Sequence, residues 1–104
     1  MLNKVYQVPY GTKDILPGEM KRRRKIENAI LDIFENWGYE EVKTPGFEYA
    51  DTFGSMVKDS DFRFFDRNNN LLVLRNDMTA PIARLAATRL QQEEGSKRLC
   101  YLVN

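Results

Sequence analysis

The 104-residue sequence contains no histidine, and Cys100 is its only cysteine. Without an imidazole, the chain cannot use mechanisms that need a histidine base, such as Ser-His-Asp or Cys-His arrangements. A single thiol forms no disulfide within the chain and no zinc site of cysteine and histidine ligands. The sequence therefore predicts no catalytic residue, no metal site and no cofactor, and we expect Cys100 to be an ordinary buried thiol.

The sequence also lacks a charge excess and a long apolar segment. Its 16 Lys and Arg residues nearly balance 15 Asp and Glu residues, whereas a dedicated nucleic-acid-binding protein usually carries a clear basic excess. The longest strictly apolar runs, such as 71–74, span only a few residues, so neither a secretory signal nor a membrane span is predicted. We therefore expect a cytoplasmic protein without a membrane partner.

The clearest pattern is an amphipathic helix over 17–37. Pro17 suits the first turn of a helix, and Gly38 is a typical residue just past the end of one. Apolar residues recur between them at spacings of three and four, as one helix face requires: Met20, Ile26, Ala29, Ile30, Ile33, Phe34 and Trp37. Core packing is the favoured explanation for the aromatic end of this face, and a subunit interface is the alternative.

Shorter elements are predicted along the rest of the chain. A strand over 39–44 ends at Pro45-Gly46, and two apolar runs flanking the Asn-rich turn 67–70 indicate a hairpin. A second helix, with Thr79 as its cap and Gly95 as its end, precedes an apolar strand at 99–103. This order predicts an α+β fold, with a mostly antiparallel sheet and flanking helices.

We expect residues 1–104 to form a single partial domain. No internal repeat, low-complexity tract or linker interrupts the sequence. The sequence stops inside an apolar strand, and an uncovered strand of that kind promotes aggregation. The hypothesis that follows is that this chain is the N-terminal piece of a longer protein.

Two surface patterns have a nucleic-acid interpretation that we consider weaker than a structural one. The basic run Lys21–Lys25 lies on the predicted helix, where residues about 100° apart cannot all face one phosphate backbone. A solvated helix face is the favoured explanation. Phe62, Phe64 and Phe65 have the spacing of a base-stacking platform, but no concentrated basic surface accompanies them, so core packing is favoured.

The segment 74–84 has the strongest indication of a binding site. It places the carboxylate of Asp77 and the hydroxyl of Thr79 two residues apart at a predicted strand-to-helix junction, with arginines on either side. Short oxygen-bearing side chains at such junctions often accept hydrogen bonds from free helix N–H groups. A carboxylate there can equally bind the ammonium group of a ligand. Spacing alone favours the cap over the ligand site and leaves both open.

Four segments of the sequence follow one another in a characteristic order. They are 10–17 (Tyr-Gly-Thr-Lys-Asp-Ile-Leu-Pro), the helix and strand ending at Thr44-Pro45, the hairpin, and 74–79 (Leu-Arg-Asn-Asp-Met-Thr). Together they resemble the start of the histidyl-tRNA synthetase-like catalytic core. The resemblance covers essentially the whole sequence, and several motifs in order are more specific than any one of them.

Two groups of proteins share that core: histidyl-tRNA synthetases, and the regulatory subunits of ATP phosphoribosyltransferase, which do not charge tRNA. Residues 77–84 (Asp-Met-Thr-Ala-Pro-Ile-Ala-Arg) are more similar to the regulatory subunits, whose usual form is Arg-Pro-Asp-Met-Thr. Bacterial synthetases more often have Arg-Pro-Glu-Gly-Thr. Asn76 stands where both forms have proline.

The resemblance implies a non-catalytic regulatory subunit of histidine biosynthesis. Such a subunit assembles with the catalytic ATP phosphoribosyltransferase subunit in a hetero-oligomer and supports its feedback inhibition by the effector histidine. The resemblance also implies that Asp77 and Thr79 bind histidine, with Asp77 meeting the α-ammonium group. Residues 17–37 and the strand ending at Pro45 resemble class II motif 1, a self-associating element.

Two other functions remain as alternatives. The first is an N-terminal fragment of histidyl-tRNA synthetase, whose ATP-binding motifs 2 and 3 would lie beyond Asn104. The second is a small RNA-binding domain that uses the basic helix.

Overall fold

The computed structural model describes residues 3–93 and 95–103. The helices are α1 (Pro17–Asn36), α2 (Ala50–Phe53) and α3 (Thr79–Thr88), and 3₁₀ turns lie at Lys4–Tyr6 and Gly54–Met56. The strands are β1 (Glu40–Glu41), β2 (Phe47–Tyr49), β3 (Arg63–Phe65), β4 (Leu71–Leu74) and β5 (Leu99–Cys100). The chain divides into two compact units, one of residues 3–41 with 98–103 and one of residues 42–97. The single partial domain over 1–104 stays a prediction beside this division.

Helix α1 begins at the predicted residue and ends one residue before the predicted end at Trp37. Pro17 is its first residue, and the Met20 N–H donates to the Leu16 carbonyl at 2.9 Å. The helix ends at Asn36, and Gly38 follows with φ +82°, a left-handed conformation that glycine adopts without a Cβ clash. The periodic apolar pattern and the flanking Pro and Gly therefore located this element correctly.

The apolar face of α1 is exposed in this unit, although core packing was the favoured prediction. None of the helix residues is buried, and the side chains of Ile26, Ile33 and Trp37 are 61%, 59% and 70% exposed. Phe34 is half-buried and meets the Tyr39 ring edge-on, with 5.3 Å between ring centroids. The core prediction is therefore wrong for Ile33 and Trp37, and this helix keeps an uncovered apolar stripe.

Strands β1 and β5 form a two-residue parallel ladder in the same unit. Glu40 pairs with Leu99 and Glu41 with Cys100, and the Glu40 N–H donates to the Arg98 carbonyl at 2.9 Å. The predicted strands 39–44 and 99–103 are both longer than the observed ones because pairing stops after two residues on each side. The expectation of a mostly antiparallel sheet thus holds only for the other unit.

The unit of residues 42–97 contains a three-stranded antiparallel sheet in the order β2-β4-β3. β3 and β4 form the predicted hairpin, and Asn69 in its turn has φ 64°. β2 adds to the other edge of β4, with Glu48 opposite Val73. The sequence pattern indicated no element over 47–60, because β2 and α2 are too short to show a period.

The core of this unit lies between the sheet and the helices. Central strand β4 contributes Val73, α2 contributes Phe53 and the first turn of α3 contributes Ala80, each less than 5% exposed. Burying a side chain of the size of Val or Phe stabilises a fold by about 1.5–3 kcal/mol. Phe62, Phe64 and Phe65 all remain exposed, contrary to the core prediction for them.

Helix α3 begins and ends differently from its prediction. Thr79 is its first helical residue and Met78 its cap, so Thr79 is not the capping residue. The helix ends at Thr88, well before Gly95. The Thr88 hydroxyl donates to the Arg84 carbonyl at 2.8 Å, a local bond that competes with helical hydrogen bonding, and the polar residues 91–93 offer no apolar face to continue the helix.

Among the residues described, no helix combines the length and the apolar character needed to cross a bilayer.

Candidate functional site

The predicted site lies in the turn that joins the central strand β4 to α3. Arg75 anchors the start of this turn to the segment before β2: its N–H donates to the Gly46 carbonyl at 3.1 Å. Its guanidinium Nη1 donates to the Pro45 carbonyl at 3.3 Å. The turn therefore leaves the sheet at a point fixed by both backbone and side-chain hydrogen bonds.

Asp77 and Thr79 are joined directly. Oδ1 of Asp77 accepts a hydrogen bond from the Thr79 backbone N–H at 2.9 Å. The Met78 side chain makes no capping hydrogen bond, and the Asp77 carboxylate satisfies one of the free N–H groups at the start of α3. The capping role that the sequence analysis favoured is therefore present, and Asp77 performs it.

The same pair keeps polar atoms open to solvent. Both side chains are exposed. In the part of the chain that the structure describes, neither Oδ2 of Asp77 nor the Thr79 hydroxyl has a hydrogen-bond partner. The carboxylate thus accepts a helix N–H with one oxygen and leaves the other open to solvent.

Met78, between them, points into the protein. Met78 is only 4% exposed. The hydroxyl of buried Thr44 donates a hydrogen bond to the Met78 sulfur at 3.8 Å. Its carbonyl accepts the Ile82 N–H at 3.0 Å, an early hydrogen bond of α3. Burial of Met78 therefore directs its two neighbours outward.

Asn76 makes two side-chain contacts that the sequence does not predict. Its Nδ2 donates to Oδ2 of Asp61 at 2.9 Å and to the Met56 carbonyl at 3.2 Å. Both acceptors lie in the loop between α2 and β3. The only sequence signal for a special role was an asparagine at a position where the resembling families have proline.

A depression of about 620 Å³ lies elsewhere in the same unit and includes neither Asp77 nor Thr79. The buried Glu48 forms an ion pair with Arg84 in its lining, and Lys43 and Arg89 also contribute to it. The sequence does not predict this pair, because nothing in its pattern distinguishes Glu48 from the other carboxylates.

The remaining sequence candidates take structural roles. Arg23 pairs with Glu19 at 3.5 Å and Arg24 with Glu27 at 3.1 Å, all on α1, as a solvated helix face predicts. Cys100 is buried, as expected. No group of three or more His, Cys, Asp or Glu side chains within 3–93 and 95–103 is arranged to hold a metal ion. The open carboxylate oxygen of Asp77 has the chemistry to accept a hydrogen bond from a cationic group.

In a comparison with family models, residues 11–104 match the family described as histidyl-tRNA synthetase. Among curated proteins, the ATP phosphoribosyltransferase regulatory subunit of Moorella thermoacetica is 46% identical over 95% of this chain and 26% of its own length. The protein of the same name from Bacillus pumilus is 38% identical over 96% of this chain and 26% of its own length.

Two solved structures have a similar fold. A protein from Bacillus halodurans described as an ATP phosphoribosyltransferase regulatory subunit/histidyl-tRNA synthetase superposes with a TM-score of 0.87 and 36% identity, over 100% of this chain and 28% of that one. Apo histidyl-tRNA synthetase of S. aureus gives a TM-score of 0.79 and 31% identity, over 91% of this chain and 24% of that one. The chain spans about a quarter of the length of the curated relatives it matches.

Proposed function

Because the chain belongs to the histidyl-tRNA synthetase family, we propose that it is part of a non-catalytic regulatory subunit of ATP phosphoribosyltransferase. In this proposal the complete protein assembles with the catalytic subunit in a hetero-oligomer and supports the first step of histidine biosynthesis. It also makes that step sensitive to histidine. The proposal places the protein in the cytoplasm, where the unpaired thiol of Cys100 stays reduced.

One observation carries this proposal: relatives 38–46% identical over nearly the whole chain bear the name of that regulatory subunit. Residue chemistry is in keeping with a role in binding. The sequence has no histidine, so its strongest binding candidate, Asp77 with Thr79, presents a carboxylate oxygen and a hydroxyl with no imidazole base to activate them. Such a pair can hold a ligand and supplies no bond chemistry of its own.

The proposed ligand at this pair is histidine, bound through its α-ammonium group. Oδ2 of Asp77 accepts a charge-assisted hydrogen bond from the ammonium, and the adjacent Thr79 hydroxyl orients it. The hydrogen bond between Asp77 Oδ1 and the Thr79 N–H holds the carboxylate in place before the ligand arrives. Little side-chain entropy is then lost on binding.

Regulation follows from thermodynamic linkage. If histidine binds one assembly state of the two subunits more tightly than another, its binding shifts the population toward that state. The same coupling makes assembly with the catalytic subunit alter histidine affinity by an equal factor. No covalent step is assigned to this chain.

Self-association through α1 is a further part of the proposal. The exposed apolar stripe of this helix, with Ile33 and Trp37 more than half exposed, is the kind of surface that a second subunit covers. The motif 1-like resemblance of α1 and the segment up to Pro45 supports the same role.

The proposed function is tested by reconstitution. The complete protein is mixed with a purified catalytic ATP phosphoribosyltransferase subunit of the short type, and activity is measured with and without histidine. We expect the mixture to be active, to be inhibited by histidine and to migrate as one complex. Charging of tRNA with histidine by the complete protein would instead support the alternative, a histidyl-tRNA synthetase. That alternative has its own observation, the 31% identity and TM-score of 0.79 to the S. aureus enzyme.

The histidine site is tested by separating the two tasks of Asp77. Asp77→Asn keeps an oxygen that accepts the Thr79 N–H but removes the charge, whereas Asp77→Ala removes both. We expect Asp77→Asn to weaken histidine binding roughly ten- to hundredfold in calorimetry, because a hydrogen bond to a charged group contributes about 1.5–3 kcal/mol. Its melting temperature should stay close to that of the unmodified protein.

Asp51→Ala is the matched control, because Asp51 is an exposed carboxylate in the first turn of α2. Histidine affinity should not change in this variant. Unchanged affinity in Asp77→Asn as well would leave Asp77 with its capping role alone.

A further inference from the structure

Asn76 connects the proposed ligand-binding turn to a distant loop. Its side-chain Nδ2 uses both of its donors: one bonds Oδ2 of Asp61 at 2.9 Å and the other bonds the Met56 carbonyl at 3.2 Å. We infer that Asn76 is a positioning residue that fixes the Asp77 carboxylate for ligand binding by tying residues 76–79 to the loop 56–61. This inference rests on the proposed histidine site.

The loop is an ordered anchor because it is held by its own hydrogen bonds. The Lys58 N–H donates to Oδ2 of Asp61 at 2.8 Å, the same oxygen that receives Asn76. Nη2 of Arg63, in β3, donates to the Lys58 carbonyl at 3.1 Å. Asn76 therefore attaches to a loop that is connected to the edge strand of the sheet.

The position of Asn76 in the turn makes this attachment relevant to the ligand. Arg75 fixes the start of the turn against residues 45–46, and buried Met78 fixes its end. Asn76 and Asp77 lie between these two points, and Asn76 is the one whose side chain bonds outside the turn. Losing its bonds frees the backbone immediately before Asp77, whose carboxylate direction depends on that backbone.

Both hydrogen bonds to the loop need a side-chain donor at position 76. Proline, the residue usual at this place in the resembling families, has no side-chain donor, so it cannot make either bond. In this chain the loop 56–61 thus becomes part of the support of the site, and Asp61 becomes the partner through which Asn76 acts.

The test uses the complete protein with Asn76→Ala, Asp61→Ala and the double variant. We expect each single variant to weaken histidine binding roughly three- to tenfold in calorimetry, the effect of losing one or two ordinary hydrogen bonds. The double variant should be no weaker than the worse single one, because both remove the same connection. Asn68→Ala is the matched control, since Asn68 is an exposed turn asparagine that bonds Asp66 through its backbone N–H, which alanine keeps.

A second measurement follows the turn itself and does not depend on the identity of the ligand. Hydrogen exchange of the Thr79 amide, which is bonded to Asp77, should be about three- to tenfold faster in Asn76→Ala and unchanged in Asn68→Ala. A merely structural role would lower the melting temperature and leave both this exchange rate and the histidine affinity unchanged, which would overturn the inference.

The two proposals can fail separately. If Asp77→Asn leaves histidine affinity unchanged, the histidine site is wrong, and the Thr79 exchange rate still decides the role of Asn76. If Asp77→Asn weakens binding but Asn76→Ala changes neither affinity nor exchange, the site stands and the positioning role is rejected.

Discussion

Glu48 of β2 and Arg84 of α3 form an ion pair between elements that lie 36 positions apart in the sequence. The two side chains are unequally buried: 6% of the Glu48 side chain is exposed, against 32% for Arg84. The pair therefore joins the sheet to the helix through a buried carboxylate and a partly solvent-exposed guanidinium.

This inequality predicts an asymmetric response to mutation. Arg84→Ala leaves a buried carboxylate without its partner, so we expect a loss of about 3 kcal/mol in the free energy of unfolding. Glu48→Ala leaves an arginine that reaches solvent, so the loss should be smaller, about 1–2 kcal/mol. Urea unfolding of the complete protein measures both. The loss in the double variant should be less than the sum of the two single losses.

Arg89→Ala controls for this experiment, because Arg89 lines the same depression and is exposed. Its removal should change the free energy of unfolding by no more than about 0.5 kcal/mol. Equal losses for Arg84→Ala and Glu48→Ala would contradict the unequal burial.

The hairpin turn should stabilise the fold in a pH-dependent way through Asp66. The hydrogen bond from the Asn70 backbone N–H is the largest cause that lowers the pKa of this carboxyl; it outweighs desolvation and is reinforced by the Asn70 side chain and the Asn68 N–H. A lowered folded-state pKa contributes stability above the unfolded pKa, and that stability is lost as pH falls through the folded pKa. Asp66→Asn should therefore cost stability at neutral pH and much less below the folded pKa.

Thermal unfolding at neutral and acidic pH checks this prediction, with Asp59→Asn as the control for an exposed aspartate outside the turn. An Asp66→Asn difference that stays constant across this pH range would contradict it. A carbon-13 titration of Asp66 measures the lowered pKa directly.

Gly38 should resist substitution because of its backbone conformation. With φ +82°, an alanine at this position would be strained, although its Cβ would meet only Nη1 of Arg98 at an ordinary 3.6 Å. We expect Gly38→Ala to lower the free energy of unfolding by about 1 kcal/mol. Gly18→Ala is the comparison: Gly18 lies in the first turn of α1, where alanine is the better helix former, so it should be neutral or stabilising. Denaturant unfolding of both variants separates backbone strain from crowding.

The exposed stripe of α1 should govern self-association. Ile33→Glu places a charge among apolar side chains that a second subunit would bury, so we expect a shift toward the monomer in analytical ultracentrifugation. Secondary structure measured by circular dichroism should be retained, because Ile33 is already 59% exposed in this unit. Asn28→Glu puts the same charge on the opposite face of the helix and should leave the oligomeric state unchanged. A shift in both variants would indicate a general effect of charge.

Long or strongly marked elements could be predicted from the sequence. Helix α1 shows five turns of apolar spacing between Pro17 and Gly38, and the hairpin has an Asn-rich turn in which Asn69 adopts a positive φ. Strand β2 has only three residues, so alternation had no room to appear, and its pairing with β4 depends on a distant segment. Local patterns therefore predicted the helix and the hairpin, whose signals lie within one segment of sequence. They did not predict β2, whose pairing depends on a distant segment.

The candidate site could be predicted in part for the same reason. Asp77 and Thr79 are two residues apart, so their joint position at a helix start follows from local sequence. The identity of the capping group did not follow from local sequence, because Thr79 proved to be the first helical residue. The hydrogen bond from Asn76 to Asp61 depends on where the loop 56–61 returns to the turn, which no local pattern encodes.

The parallel pairing of Glu40 with Leu99 makes residues 42–97 an insertion between two neighbouring strands. During synthesis from the N-terminus, every residue of that insertion is made before Leu99 exists. The unit that contains α1 can therefore complete its strand ladder only after the other unit has its full sequence. A truncation just after residue 97 would therefore remove β5 from the α1 unit. Among the residues described, β5 is the only partner strand of β1.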